Sequence, residues 1–206
     1  MSNGILDLLA QNLGGQNMGQ LASAIGADER KTQTAVAAAL PAILAAMNRN
    51  TNNTQGAQSL ASALQRDHDG SLLDNLGGFL SGAMGGSKAT DGTGILGHIL
   101  GGERQTVEQG VAKASGLDMG TVAKLLPLLA PIVMSALGKR QRQSKLDPTG
   151  LSGVLGAESQ RARQAAPSGI LGALSGFLDR DDDGSIQDDL IAQAGQAALG
   201  KLFGRG

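Results

Sequence analysis

The chain has 206 residues and a formal net charge of −1, with 41% apolar residues, 1% aromatic residues and 32 glycines. No cysteine is present, which excludes disulfides, thiol catalysis and Cys-based zinc sites. The near-neutral charge excludes a global field that would draw nucleic acid or anionic membrane.

This length can bury a sizeable core, as one domain or two small ones. Leu, Ala, Ile, Val and Met must fill that core, and such small side chains favour close helix–helix approach. Tyr and Trp are absent and no stretch alternates apolar with polar residues for long, so an all-α fold is predicted.

In chain order, Met1-Ser2-Asn3-Gly4-Ile5-Leu6-Asp7 lacks the basic and apolar regions of a secretory signal, so the expected location is cytoplasmic. Gly4-Ile5-Leu6 opens a short apolar helix. A turn follows at Ala24-Ile25-Gly26-Ala27-Asp28, and then Val36, Leu40, Ile43, Leu44 and Met47 keep the spacing of one helical face. Pro41 lies inside that helix, where a kink is expected. Arg66-Asp67-His68-Asp69-Gly70-Ser71-Leu72-Leu73-Asp74 then forms an Asp-rich loop leading into a closing helix, with His68 expected in solvent.

A Gly/Ser/Thr-rich linker covers residues 85–93. Beyond it the same order of features returns. Gly94-Ile95-Leu96 opens an apolar helix, Ala114-Ser115-Gly116-Leu117-Asp118 echoes the turn, and Val122, Leu125, Leu126, Leu129, Val133 and Leu137 form a second apolar helix. Pro127 falls at a point comparable to Pro41. The apolar run from Leu125 to Leu137 is 13 residues long and holds two prolines, shorter than the roughly 20 residues a bilayer span needs. Residues 139–168 read as a polar insert forming a mobile loop, and the run Lys139 to Lys145 as a solvated helix end. Gly169-Ile170-Leu171 opens a third short helix, followed by Asp179-Arg180-Asp181-Asp182-Asp183-Gly184-Ser185-Ile186-Gln187-Asp188-Asp189. The organisation predicted is two diverged repeats, residues 3–84 and 94–203, in each of which a helix-turn-helix-like core is followed by an Asp-rich loop and a closing helix.

The Ala-x-Gly-x-Asp turn, the long Ala/Leu helix with its internal proline and the Asp-x-Asp-Gly-Ser-x-x-Asp segment together resemble a bacterial domain-of-unknown-function family, number 937, related to the YidB-like proteins. The resemblance spans nearly the whole chain apart from the polar insert. It implies an all-helical fold with a helix-turn-helix-like core and implies no activity.

The loop from Asp179 follows the opening of an EF-hand-type loop. Calcium takes six to eight hard oxygens, and Asp179, Asp181 and Asp183 supply carboxylates at alternate positions, with Gly184 at the turn and the Ser185 carbonyl following. Leu190 replaces the usual closing glutamate, so Asp188 and Asp189 would complete the sphere. A weaker second site would use Asp67, Asp69, Ser71 and Asp74. Both segments also read as capping boxes, Ser185 with Asp188 and Ser71 with Asp74, that open a helix without metal.

Three other readings remain. The helix-turn-helix-like segments offer Arg30, Lys31, Thr121 and Lys124 to nucleic acid, but no aromatic stacking and no basic stripe accompany them. Catalysis has no support: His68 and His98 stand in no triad or metal pair, and the glycines form no phosphate loop. Small-residue helices invite self-association as a homo-oligomer or filament. The expectation is therefore a non-enzymatic, calcium-binding helical protein with a structural or self-assembling role, and the alternative is a nucleic-acid-associated one. Low cytosolic calcium would make the metal site either structural or a sign of unconventional export.

Overall fold

The computed structural model describes residues 4–84, 92–166 and 172. Among them every regular element is helical, and no strand occurs. In chain order the helices are α1 (Ile5–Leu13), α2 (Gln16–Ile25), α3 (Glu29–Asn50), α4 (Thr54–Asp67), α5 (Ser71–Asp74), α6 (Leu76–Met84), α7 (Gly92–Leu100), α8 (Arg104–Ser115), α9 (Met119–Ser144) and α10 (Pro148–Ala165). A 3-10 turn, Gly101–Glu103, joins α7 to α8.

The two long helices begin alike. α2 stops at left-handed Gly26 and α8 at left-handed Gly116. Ala27 N–H donates to the Ala22 carbonyl and Gly26 N–H to Ser23, the paired bonds of a Schellman ending. Gly116 N–H instead makes a single bond to the Ala112 carbonyl. Two residues after each glycine an aspartate caps the next helix: Asp28 accepts from the Arg30 and Lys31 amides, and Asp118 from the Thr121 amide. The predicted turns thus have a local cause, a glycine that ends one helix and a carboxylate that starts the next.

Counted from these caps, Pro41 lies 13 residues after Asp28, and Pro131 lies 13 residues after Asp118. By this count Pro131, and not Pro127, lies as far from its capping aspartate as Pro41 does from Asp28. Both prolines are buried, and α3 and α9 continue through them.

The core is built around α3 and α9. Ala38, Ala39, Ala42, Ile43, Leu44 and Ala45 of α3, and Leu125, Leu126, Leu129, Ile132, Val133 and Leu137 of α9, are almost completely buried. Shorter helices cover both. α1 packs against α9 while α7 packs against both α3 and α9, and α8 also lies along α3. Helices from both halves of the chain thus line one contiguous core. α9 has the length and mean hydropathy (1.7) of a membrane span, but 67% of that apolar window is buried by neighbouring helices.

The expectation of a mobile polar loop over residues 139–168 is corrected. α9 continues to Ser144, and after a short turn Asp147 caps α10 by accepting from Gly150 N–H at 2.7 Å. Pro148 takes the first helical position, where its missing N–H costs nothing. Leu151, Leu155, Glu158, Ser159 and Ala162 form the buried face of α10, which packs against α3 and α4. A sparse apolar stripe hid in a segment dominated by Gln, Arg, Ser and Gly.

Candidate functional site

The first Asp-rich loop connects α4 to α5 and is pressed against the end of α9. Its approach depends on Gly138: a Cβ there would fall onto the His68 carbonyl oxygen. One residue on, left-handed Gly70 lies over the Cβ of Lys139. Two cations of α9 then face the loop acids. Lys139 Nζ is 2.8 Å from Asp74 Oδ1, and Arg142 Nη1 is 3.7 Å from Asp69 Oδ2. The basic run expected to be a solvated helix end thus supplies the counter-charges of the loop.

The remaining loop groups are committed to backbone geometry. Asp69 Oδ1 accepts the Ser71 amide at 2.9 Å. Bonds from the Ser71 hydroxyl and amide, with the Arg142 charge, hold the Asp69 carboxyl below the usual carboxylate range. The expected capping box between Ser71 and Asp74 is replaced by a different cap. Ser71 is the first residue of α5, Asp69 takes the amide, and Asp74 turns to Lys139. Asp67 is exposed at the end of α4. Among the described residues no three acidic, His or Cys side chains gather in a metal-sized cluster. The first loop, as folded, meets its negative charge with Lys139 and Arg142.

His68 was expected in solvent and is instead buried at 8% exposure. Burial pushes its pKa below the ordinary value, against the opposing pull of the Asp67 charge. It lines a cleft of about 660 Å³ between α4, the end of α3, α7 and α9, with exposed His98 at another wall. The chain's two histidines therefore share one cleft, although they lie 30 positions apart in sequence.

The residues proposed for nucleic acid sit in the first two turns of α3 and α9. Arg30 and Lys31 are exposed, and Lys31 Nζ lies 3.5 Å from the Gly116 carbonyl, so the two turns are neighbours. Thr121 spends its hydroxyl on Asp118 at 2.6 Å, and that bond holds the Asp118 carboxyl below its usual range. Lys124 is exposed. Beyond these first turns both helices descend into the core. Asp179, Asp181, Asp183, Ser185, Asp188 and Asp189 lie outside the described residues.

Two residues that matter here were missed by sequence reasoning. Gly138 directly follows the apolar run and precedes the basic one, a position where a small residue signals close backbone approach. Glu158 falls seven residues after Leu151 and three after Leu155, a lone acid on the apolar face of α10.

With the helices and loop in place, comparison with known families is decisive for membership. Residues 7–140 match the family described as bacterial protein of unknown function, DUF937. The chain belongs to this family. The DUF937 match takes in the capped turns, both long helices up to Arg140 and the first Asp-rich loop, and it ends before α10. No curated protein and no solved structure matches the chain significantly.

Proposed function

We propose that this DUF937 protein is a non-enzymatic helical protein with a structural or self-assembling role, in which calcium closes the second Asp-rich loop. In this reading the chain consists of two diverged helical repeats. The negative charge of each acidic loop must be balanced by a counter-charge.

The observation that carries the reading is the pairing of the first loop with Lys139 and Arg142. Lys139 lies 21 residues after Asp118 and Arg142 lies 24 after it. The same distances from Asp28 fall on Arg49 in α3 and on Asn52 beyond its end, so only one of these two positions carries a cation. The second loop meanwhile carries more acid: Asp179, Asp181, Asp182, Asp183, Asp188 and Asp189, with Arg180 alone among them. Like charges at this density need a counter-ion, and alternate carboxylates before a glycine suit the hard, oxygen-rich sphere of calcium. Asp179, Asp181 and Asp183, with the Ser185 carbonyl and Asp188 or Asp189, are the ligands.

The nucleic-acid reading has less behind it. Thr121 is used in capping, and the long helices that would read bases are core elements.

A thermal melt with light scattering, in millimolar calcium and in chelator, tests the proposal. A ligand at a hundred times its dissociation constant stabilises the folded state by about 2.7 kcal/mol. The wild type should therefore melt several degrees higher in calcium, and Asp181→Ala/Asp183→Ala should not respond. Growth of particle size with calcium would identify the role as assembly. Equal midpoints for wild type with and without calcium would remove the metal from the proposal.

A further inference from the structure

A groove of about 350 Å³ between α1, α3 and α10 shares no residue with the first Asp-rich loop. Leu9, Leu13 and Val36 are buried beneath it, and Ala10, Ala37 and Ala165 stand exposed on its walls. Among its described lining residues Gln33 is the one polar side chain, so the groove offers little besides apolar contact. Pro41 belongs to the same wall. Without an N–H, Pro41 cannot donate to the Ala37 carbonyl one turn earlier, and Ala37 lines the groove too. In α9, Pro131 frees the Pro127 carbonyl in the same way. That carbonyl is covered by α7: a Cβ on Gly92, the first residue of α7, would fall onto the Pro127 oxygen. The helix that covers it carries Gly94-Ile95-Leu96. Beside Pro41 the chain brings another copy of that motif. Ala165 and Ala166, at the end of α10, line the groove, and Gly169-Ile170-Leu171 begins three residues on.

We propose that residues 169–178 dock into this groove of their own chain and cover the Pro41 turn of α3, as α7 covers the Pro131 turn of α9. Read with a helical period, Ile170, Leu171, Leu174, Phe177 and Leu178 share one apolar face. Gly172 falls on the opposite face. It is helical and exposed, with nothing within 4 Å of the place a Cβ would take. Residues 169–178 carry no charge, which suits a groove with a single polar side chain among its described lining. An apolar helix face laid into an apolar groove is a recurring mode of recognition. The short tether from Ala166 makes the event intramolecular, so a modest contact area suffices. Docking rests on neither calcium nor assembly.

The chain has no Trp and no Tyr, so Phe177→Trp in the full chain creates a sole indole reporter. Its fluorescence is measured in chelator, so that calcium at the neighbouring loop has no part, and over a range of protein concentrations. The expected emission is shifted to short wavelength, shielded from acrylamide and unchanged by dilution. Ala37→Arg or Ala10→Arg, each placing a cation on an exposed wall of the groove, should return the emission to that of a solvated indole. Two walls are tested separately so that one variant shown folded by circular dichroism is enough. Solvated emission from the chain with an intact groove overturns the proposal. Shielding that a folded arginine variant leaves untouched also overturns it, because the indole is then buried elsewhere. Shielding that disappears on dilution, as light scattering reports a dimer falling to monomer, overturns it in favour of a second copy as the occupant.

Discussion

The carboxylate of Glu158, in α10, accepts the backbone N–H of Leu6, in the first turn of α1, at 3.1 Å across 152 positions of sequence. The first amides of a helix have no partner within it, and a carboxylate there also meets the positive end of the helix dipole. Glu158 is 4% exposed, and its other oxygen is held at 3.1 Å by Arg161, whose own side chain is mostly in solvent. Asp7 meanwhile turns back to the Gly4 amide at 2.9 Å. Two acids thus hold the start of α1, one from its own first turn and one from the far end of the described chain.

Replacing Glu158 separates these effects. Glu158→Ala leaves the half-buried Leu6 amide without its acceptor, and a cost of about 1–3 kcal/mol is expected in urea unfolding. Glu158→Gln keeps an acceptor oxygen and loses the charge, so it should cost clearly less. Equal costs for the two variants would mean that charge alone carries the contact.

Gly138 governs whether the first loop can reach α9. Gly138→Ala would drive a methyl into the His68 carbonyl, and backbone on backbone has little room to yield. The expected loss is about 1–3 kcal/mol or more, the range of an overpacked core. Gly97, in α7, faces open space, and Gly97→Ala should be neutral or slightly stabilising by about 0.5–1 kcal/mol because alanine favours the helix. Paired melts of the two variants check the contrast.

His68 makes stability depend on pH. Its folded pKa lies below the unfolded value of about 6.5, so the unfolded chain binds the proton more readily. Stability is therefore full above that value and declines as pH falls below it toward the folded pKa. His68→Gln should flatten the curve of unfolding free energy between about pH 7 and pH 5 relative to wild type. A wild-type curve as flat as that of the variant would show that burial does not discriminate against the imidazolium.

The Lys139–Asp74 pair is short but partly open to water, with side-chain exposures of 32% and 70%. Such pairs contribute about 0–1 kcal/mol and are screened by salt. Lys139→Met should cost less than about 1 kcal/mol at low ionic strength, and the difference from wild type should fade in 1 M salt. A large, salt-independent loss would mean that the stem of Lys139 over Gly70, and not its charge, holds the loop.

The local grammar of this chain is legible without coordinates. Gly26 and Asp28, and Gly116 and Asp118, announce a helix end and a helix start because a left-handed position and an amide-accepting carboxylate are requirements of three or four residues. The apolar spacing of α3 and α9 likewise declares both helices and the all-α class, since a 3.6-residue period needs no distant partner to be recognised. What only the tertiary structure decided is which groups answer one another across the chain. Lys139 and Arg142 read as a solvated helix end until Asp74 and Asp69 stand opposite them. His68 reads as an exposed loop residue until α9 closes over it. Glu158 disappears among the polar residues of its segment until Leu6 supplies the amide that it accepts. Each of these is a contact between residues tens to more than a hundred positions apart. Charge and hydrogen-bonding capacity are visible in a sequence, whereas the partner that satisfies them is chosen by the packing of α1, α4 and α10 around the two long helices.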